Sequence, residues 1–218
     1  MLTTKKQFPF TFEKTLTYYN MKKLYFLLLF ISMNSFSMSI VESFIITNDG
    51  SKINIKPNFF RIDNVEKLVF YKLTNSDVES KIKFRDFDCI YLGTNKFKTY
   101  KLNNSKEIDG YFVLSETTSK TLIFTTKPDE SEESTKINYV FYVLDVNNNI
   151  VDSLQFDNLK TAKSIAARAD IYPKIQFYFS GCEMLIKRIS SYDNLSVQNQ
   201  NMSILEFFNS PVYIDCIK

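Results

Sequence analysis

The feature that most constrains the fold is an alternation of apolar and polar residues that extends over residues 43–156 and is interrupted by turn-forming residues. In the segment "KINIK", Ile53 and Ile55 alternate with polar side chains, and Ile82 and Phe84 alternate with lysines in the same way. Because successive side chains of a strand point to opposite faces, this period of two indicates strands with one buried face. The pattern predicts an antiparallel, β-rich body, built as a sandwich or as a strongly curved sheet.

Turn residues divide this alternating region into short strands. "NDGS", residues 48–51, predicts the turn of an opening hairpin, because Gly50 can adopt a positive φ. "YVFYVL", residues 139–144, is apolar on both faces, and we therefore expect a central strand that is covered on both sides. The segment "VNNNI", residues 146–150, predicts the turn into the next strand. Strands are predicted at residues 44–47, 52–56, 67–73, 81–84, 88–92, 97–102, 111–115, 122–125, 138–144 and 150–156.

The composition changes at Asp157, where the helical part of the chain is predicted to begin. All alanines of the chain lie in "TAKSIAARA", and alanine is the best helix former. Asp157 is predicted to cap this first helix at its N-terminus. The β-rich part is therefore predicted over residues 43–156 and the helical part over residues 157–218. The apolar face of the first helix is predicted to comprise Leu159, Ala162, Ile165, Ala166 and Ala169.

Two further helices are predicted from serine and glutamate residues three positions apart, the spacing of a capping box. The first pair is Ser180 and Glu183, and the second is Ser203 and Glu206, after which Pro211 ends the helix. Strands followed by helices that pack against the sheet predict the α+β class. The apolar face of the helix after Ser180 is predicted to comprise Cys182, Leu185, Ile186 and Ile189.

Residues 21–37, "MKKLYFLLLFISMNSFS", have the organisation of a secretory signal peptide. Two lysines precede an apolar run, which is followed by two small residues that are two positions apart and end at Ser37. The run is shorter than the roughly 20 residues that a membrane-spanning helix needs. We expect cleavage after Ser37, so that Met38 begins an exported chain and residues 38–218 form a single domain without a membrane span. The first cysteine after the run is Cys89, so no attachment point for a bacterial lipoprotein anchor follows it directly.

The basic charge of the chain belongs to the predicted leader, residues 1–37. These residues carry five lysines and one glutamate, so the net charge of +3 for the whole chain becomes −1 when they are removed. A nucleic-acid-binding protein needs a basic patch on its folded domain, and the mature chain has no such excess. The chain has no histidine, which excludes Ser-His-Asp and Cys-His nucleophiles as well as histidine metal sites. The sequence predicts no catalytic, cofactor-binding or metal-binding residue.

The chain resembles a group of exported proteins of Bacteroidota, including flavobacteria, that have no known activity. The resemblance rests on the leader, the "NDGSKINI" hairpin, the run of short strands, and a helical end that carries "FSGC", residues 179–182. It covers most of the mature chain. The resemblance implies an envelope location, and it implies nothing about catalysis because no activity is known for that group.

The three cysteines allow three interpretations. Disulfides persist in exported proteins, and a bridge between Cys182 and Cys216 would close a loop of 34 residues, worth about 3–4 kcal/mol in the chain-entropy model. Alternatively, Cys182 near a helix N-terminus would be a reactive thiol with a lowered pKa. All three cysteines could also be reduced and buried as small apolar side chains. In the first interpretation Cys89 is the unpaired cysteine.

Acidic residues occur in three segments, and each is interpreted as structural. Asp145 begins a stretch that resembles a calcium loop, but the positions for glycine and for the bidentate glutamate are Ile150 and Phe156, which removes the turn and the ligand that calcium requires. Asp86 and Asp88 lie two residues apart, a spacing that would place a general acid and a general base on one face of a strand. Nothing in the sequence fixes their distance from another carboxylate. The segment 127–136 is interpreted as a hydrated loop; its acidic residues are Asp129, Glu130, Glu132 and Glu133.

Two functions from different classes remain. The favoured hypothesis is a non-enzymatic binding or structural module of the cell envelope, located in the periplasm or outside the cell, whose partner is an envelope protein or a glycan. The alternative is a histidine-independent hydrolase that uses carboxylates. The hydrolase requires a cleft in which two or more carboxylates converge and at least one is largely buried. A thiol redox protein is disfavoured because the chain has no C-x-x-C pair.

Overall fold

Apolar residues at every second position produce strands over most of the chain. The structure is a computed structural model that describes residues 42–128, 135–196 and 199–217. The predicted leader, with its cleavage site between Ser37 and Met38, lies outside the described residues, as does the acidic segment 129–134. The strands in the described part are β1 (Phe44–Thr47), β2 (Lys52–Asp63), β3 (Leu68–Leu73), β4 (Glu79–Lys83), β5 (Phe87–Leu92), β6 (Asn95–Tyr100), β7 (Asp109–Glu116), β8 (Thr121–Pro128), β9 (Ile137–Leu144), β10 (Ile150–Asp157) and β11 (Ile214–Asp215).

These strands form one sheet in the described residues, in the order β10-β9-β8-β7-β6-β5-β1-β2-β3-β4. All neighbours along this path are antiparallel, and β11 adds to β7 in parallel. The predicted opening turn is present, and Gly50 has a φ of +83°. The four described helices are α1 (Ala162–Ala169), α2 (Ile171–Phe179), α3 (Glu183–Ser196) and α4 (Ile204–Asn209). The predicted α+β class, a β-rich body followed by a helical segment, is confirmed.

The sheet is strongly curved at the end that contains β1 to β6. The rings of Phe60 on β2 and Phe97 on β6 have centroids 6.0 Å apart, although three strand spacings, about 14 Å in a flat sheet, separate their strands. A 3₁₀ turn, Phe84–Asp86, precedes β5, and its Phe84 ring packs 5.9 Å from that of Phe97. A buried cluster that includes Ile45, Phe84 and Phe97 fills the concave side of this bend. Of the two predicted architectures, a sandwich and a strongly curved sheet, the structure is the strongly curved sheet.

The four helices cover one face of β7 to β10. Phe124, Phe141 and Phe156 on the sheet contact Phe208 of α4, with ring centroids between 5.0 and 6.2 Å from it. The predicted apolar face of α3 is buried at Leu185 and Ile189 and at Cys182 just before the helix. This helix-covered face holds the larger core of the protein.

The prediction for the first helix was wrong in its start and in its buried face. Asp157 ends β10, and the residue that caps α1 is Thr161, whose side chain accepts a hydrogen bond from the Ser164 amide. The buried residues of α1 are Ser164 and Arg168, whereas the predicted apolar face is largely exposed. Alanine carries little apolar area, so its pattern determines the orientation of a helix only weakly. Here the orientation follows from the contacts of Arg168.

Arg168 is completely buried, with 0 % of its surface exposed. Its guanidinium donates to the carbonyls of Asp157 and Leu159 at 2.7 and 2.8 Å, and to those of Gln200 and Asn201 at 2.9 and 3.1 Å. The side chain therefore joins the segment before α1 to the segment before α4. A planar fork of donors can reach several carbonyls at once, which a lysine cannot do.

Two other predictions were wrong in detail. The strand over residues 139–144 belongs to β9, which is paired on both sides but lies second from the end of the sheet, so it is not central. Ser180 and Glu183 do not form a capping box, because Ser180 ends α2 and α3 begins at Glu183 itself. Ser203 does precede α4, but its side chain forms no capping bond; instead the Asn199 side chain accepts from the amides of Met202 and Ser203.

Candidate functional site

A groove with a volume of about 690 Å³ lies on the sheet face opposite the helices. Its floor is formed by Thr125, Val140 and Gln155, which lie in register across β8, β9 and β10. Phe124, Phe141 and Phe156, each next to one of these residues in its strand, belong to the helix-covered core. The alternation that buries one face of these strands therefore presents the other face to the groove.

One wall of the groove comes from a distant part of the chain, the turn of residues 64–67 between β2 and β3. Lys67 has a left-handed φ of 54°, and its ammonium forms an ion pair with Asp109 at the start of β7. The Lys67 carbonyl also accepts a hydrogen bond from the Phe84 amide at 2.9 Å. These contacts hold the turn against the sheet and close that side of the groove.

The floor presents polar groups that are available to a ligand. The side chains of Thr125, Asn138 and Gln155 form no hydrogen bond with any described residue. Asn138 lies opposite Lys127 in the β8–β9 register, and Lys127 is exposed at the end of the groove. Amides offer both a donor and an acceptor, and a hydroxyl does the same. The groove can therefore exchange hydrogen bonds of both kinds with a ligand.

Two tyrosines complete the floor. The rings of Tyr111 and Tyr142 meet edge to face, with centroids 5.8 Å apart and an interplanar angle of 89°. Burial raises the pKa of both phenols, and the charge of Asp109 raises both pKa values further. The hydroxyls are therefore protonated at neutral pH and can donate hydrogen bonds. Tyr142 is half-buried, and it lines the groove.

A second cluster on the same sheet face joins β6, β7 and the C-terminal segment. The Lys96 ammonium donates to Glu116 Oε2 at 2.5 Å, and the Tyr213 hydroxyl donates to the same oxygen at 2.7 Å. The ammonium also lies 4.5 Å from the centroid of the Tyr213 ring and 5.6 Å from that of Tyr91. Burial lowers the pKa of Lys96, but the hydrogen bond and the charge of Glu116 outweigh it and raise the pKa overall. The lysine stays charged, and the cluster fastens the C-terminal segment to the sheet.

Two of the three cysteines come together. The sulfur atoms of Cys182 and Cys216 lie at disulfide distance, and their Cα atoms are 5.5 Å apart. Cys182 is buried, which does not fit the accessible reactive thiol of the second interpretation. The arrangement also disfavours the interpretation in which all three are reduced. Cys89 is free and buried, as the disulfide interpretation predicts.

The other acidic residues singled out in the sequence do not form a site with one another. Asp86 lies 3.7 Å from the Arg85 guanidinium, whereas Asp88 pairs with Lys98 at 3.1 Å. The carboxylate of Asp145 accepts hydrogen bonds from the amides of Asn147 and Asn149, both at 2.8 Å, and these bonds form the turn between β9 and β10. Hydrogen bonds from Asn149 are the main cause that lowers the pKa of Asp145. The structural interpretation of this turn is consistent with that geometry.

Sequence reasoning did not find the groove or the Lys96 cluster. Thr125, Asn138 and Gln155 occupy ordinary polar positions of alternating strands, and the wall they face comes from residues 64–67. Likewise, nothing in the sequence indicates that the Lys96 side chain reaches Glu116. Both sites depend on which strands are neighbours, and the alternating pattern does not contain that information.

No protein-family model, curated protein or solved structure matches this chain. In the described part of the chain, no group of three or more histidine, cysteine, aspartate or glutamate side chains is arranged as a metal site. The same residues contain no helix that is long and apolar enough to cross a membrane.

Proposed function

We propose that this protein is an exported, non-enzymatic binding module of the cell envelope, and that the groove over β8, β9 and β10 is its binding surface. The observation that carries the proposal is a set of polar side chains on the groove floor, Thr125, Asn138 and Gln155, that have no hydrogen-bond partner among the described residues. A concave site with a few polar groups aimed at one space is the usual form of a ligand site. The polar groups there have no structural task within the described residues.

The hydrolase alternative has less support. It requires converging carboxylates, but the described lining of the groove contains one carboxylate, Asp109, and that group is paired with Lys67. Glu116, the acidic group of the Lys96 cluster, accepts hydrogen bonds from the Lys96 ammonium and from the Tyr213 hydroxyl. Both bonds reach the same oxygen, Oε2, and they give this carboxylate a structural role in fastening the C-terminal segment to the sheet.

Export has support from two observations. The sequence of residues 21–37 has the order of regions that a signal peptide needs. The pairing of Cys182 with Cys216 is compatible with an oxidising compartment, where disulfides persist.

The proposal is tested by sedimentation of the purified mature protein with the envelope fraction of the cells that produce it. We expect the wild-type protein to pellet with envelopes and Gln155→Trp, which fills the groove, to remain in the supernatant. Gln155 is exposed on β10, so the substitution does not disturb the core. Gln176→Trp is the matched control, because Gln176 is exposed on α2 at the other side of the sheet. Equal pelleting of both variants would contradict a binding role for the groove.

A further inference from the structure

We infer that the ligand of the groove is a neutral saccharide chain; this inference rests on the proposed function of the same site. The juxtaposition that carries it is an uncharged floor of amide, hydroxyl and phenol groups beside a tyrosine ring. Saccharides present hydroxyl groups that both donate and accept hydrogen bonds, and they present apolar C–H faces. Each of these features has a counterpart in the groove.

The hydrogen-bonding groups match the two-sided chemistry of sugar hydroxyls. Asn138 and Gln155 each offer a carbonyl that accepts and an amide nitrogen that donates, and Thr125 can do either. The Tyr142 hydroxyl is protonated at neutral pH, as a phenol ordinarily is, and burial and the charge of Asp109 raise its pKa further. A ligand with only acceptors or only donors would leave half of these groups without partners.

The charge in the groove favours a neutral ligand. Lys67 and Asp109 neutralise each other in an ion pair, and the floor residues Thr125, Val140 and Gln155 carry no charge. Lys127 is exposed at the end of the groove, where water and salt screen its field. A polyanion would therefore meet one screened cation and no arginine fork, whereas anion sites are typically built from several basic groups.

A peptide ligand fits the groove less well. Strands β8 and β9 are hydrogen-bonded to neighbours on both sides, so the middle of the floor offers no free backbone edge to which a peptide strand could add. Among the strands of the floor in the described residues, only β10, the terminal strand of the sheet, has an edge that is not paired with another strand. The aliphatic side chains that line the groove in the described residues are Val140 on the floor and Val65 on the wall, so most of the lining is polar or aromatic. Recognition is therefore expected to use mainly the side-chain polar groups and the ring of Tyr142.

The tyrosine pair supplies the apolar part of the site. Tyr111 is buried and supports Tyr142 through an edge-to-face contact at 5.8 Å. Tyrosine presents an apolar ring together with a polar tip, which suits a sugar ring with a C–H face and hydroxyl edges. The volume of about 690 Å³ lies within the range of about 300–1,000 Å³ that is typical of small-molecule sites.

The inference is tested by treating the envelope fraction before the sedimentation assay. Periodate cleaves the vicinal diols of sugars, and protease removes protein. We expect periodate to abolish groove-dependent pelleting and protease to leave it unchanged. We also expect Gln155→Ala and Asn138→Ala each to weaken binding about tenfold, as the loss of a polar contact does, and Gln176→Ala to have no effect. Binding should not change between 50 mM and 500 mM salt, concentrations across which a charge-driven contact is screened.

The possible outcomes separate this inference from the proposed function. Groove-dependent binding that survives periodate but is lost after protease treatment would replace the saccharide with a protein and leave the proposed function standing. Binding that periodate abolishes but that salt also weakens more than tenfold would indicate an acidic polymer and contradict the neutral ligand. If Gln155→Trp pellets as the wild type does, the proposed function fails, and the saccharide inference fails with it.

Discussion

At the scale of single residues, Arg168 shows how one buried charge can orient a helix. Four backbone carbonyls, and no carboxylate, receive its hydrogen bonds within the described residues. The charge is therefore stabilised by peptide dipoles from two segments that are far apart in the chain. This arrangement makes the residue structural, since its donors are all directed at the backbone.

Replacing Arg168 with methionine is expected to lower the free energy of unfolding by about 2–4 kcal/mol, because the four carbonyls around this buried side chain lose their donors. Arg168→Lys should retain part of the stability, since an ammonium cannot reach both segments at once. Urea unfolding followed by circular dichroism measures the change. Lys163→Met, on the exposed side of α1, is the control and should change stability by less than about 0.5 kcal/mol. A loss of less than about 1 kcal/mol for Arg168→Met, close to what a surface substitution costs, would contradict the role assigned to Arg168.

Gly110 is a second residue whose identity is set by packing. A Cβ at this position would clash with the Phe97 ring and would lie 3.0 Å from Cζ of Phe84. Gly110→Ala should therefore destabilise the protein by about 1–3 kcal/mol through overpacking. Gly181→Ala is the matched control, because no atom lies within 4 Å of a Cβ there. Thermal melting of the two variants compares them directly, and equal melting temperatures would show that the aromatic cluster adjusts without cost.

Cys89 should be inert in the folded protein. Burial is the main cause that raises the pKa of its thiol to about 11, so only about 0.1% is thiolate at pH 8. The thiolate is the reactive form, and its fraction rises only as the pH approaches that pKa. We expect iodoacetamide to leave Cys89 unmodified at pH 8 and to modify it rapidly in urea, as measured by mass spectrometry. Rapid modification of the native protein would show that the thiol is accessible.

At the scale of elements, the Cys182–Cys216 pair and the Lys96 cluster hold the same segment from two sides. The pair links the start of α3 to the residue after β11, while Tyr213, just before β11, bonds to Glu116 on β7. The short strand β11 thus keeps its parallel register with β7 through side chains on both sides of it. A strand of two residues has few backbone bonds of its own, so these contacts determine its position.

Removal of both sulfurs in Cys182→Ser/Cys216→Ser should lower the free energy of unfolding by about 3–4 kcal/mol, the chain-entropy value for a loop of this length. The loop spans 34 residues. Urea titrations of the oxidised wild type and the double variant measure the difference. The same titration with a reductant is the control, since the reduced wild type should then match the variant. If the oxidised and reduced wild types unfold at the same urea concentration, the bridge is absent or does not stabilise the fold.

The sequence predicts strands better than it predicts their neighbours. The predicted strands correspond to β1 to β10, because the alternation of apolar and polar residues that indicates a strand can be read from neighbouring residues alone. The predicted central place of residues 139–144 was wrong. An apolar run indicates that a strand is buried but not where it lies in the sheet, and the second strand from an edge can be as buried as a central one. The orientation of α1 was also wrong, because it depends on carbonyls near residues 157 and 200 that Arg168 meets only in the folded chain.

At the scale of the whole molecule, the candidate site depends on the curvature of the sheet. The bend brings the turn of residues 64–67 toward β7, and the Lys67–Asp109 pair holds it there. No pattern in the sequence predicts that Lys67 and Asp109 meet, since about forty residues separate them along the chain. The chemical character of the floor was foreseeable strand by strand, but its assembly into one groove was not.

The last prediction concerns the chain that the cell exports. Protein recovered from the envelope or the medium, unfolded in urea without a reductant and alkylated, should have an intact mass that begins at Met38 and carries one alkyl group. Cys89 supplies that group, because the other two sulfurs are paired. Unfolding before alkylation is essential, since the buried Cys89 thiol would otherwise be missed and the mass would suggest a second bridge. A mass that retains residues 1–37 and carries three alkyl groups would contradict both export and the bridge, and the remaining explanation for the buried Cys182 would be ordinary apolar packing.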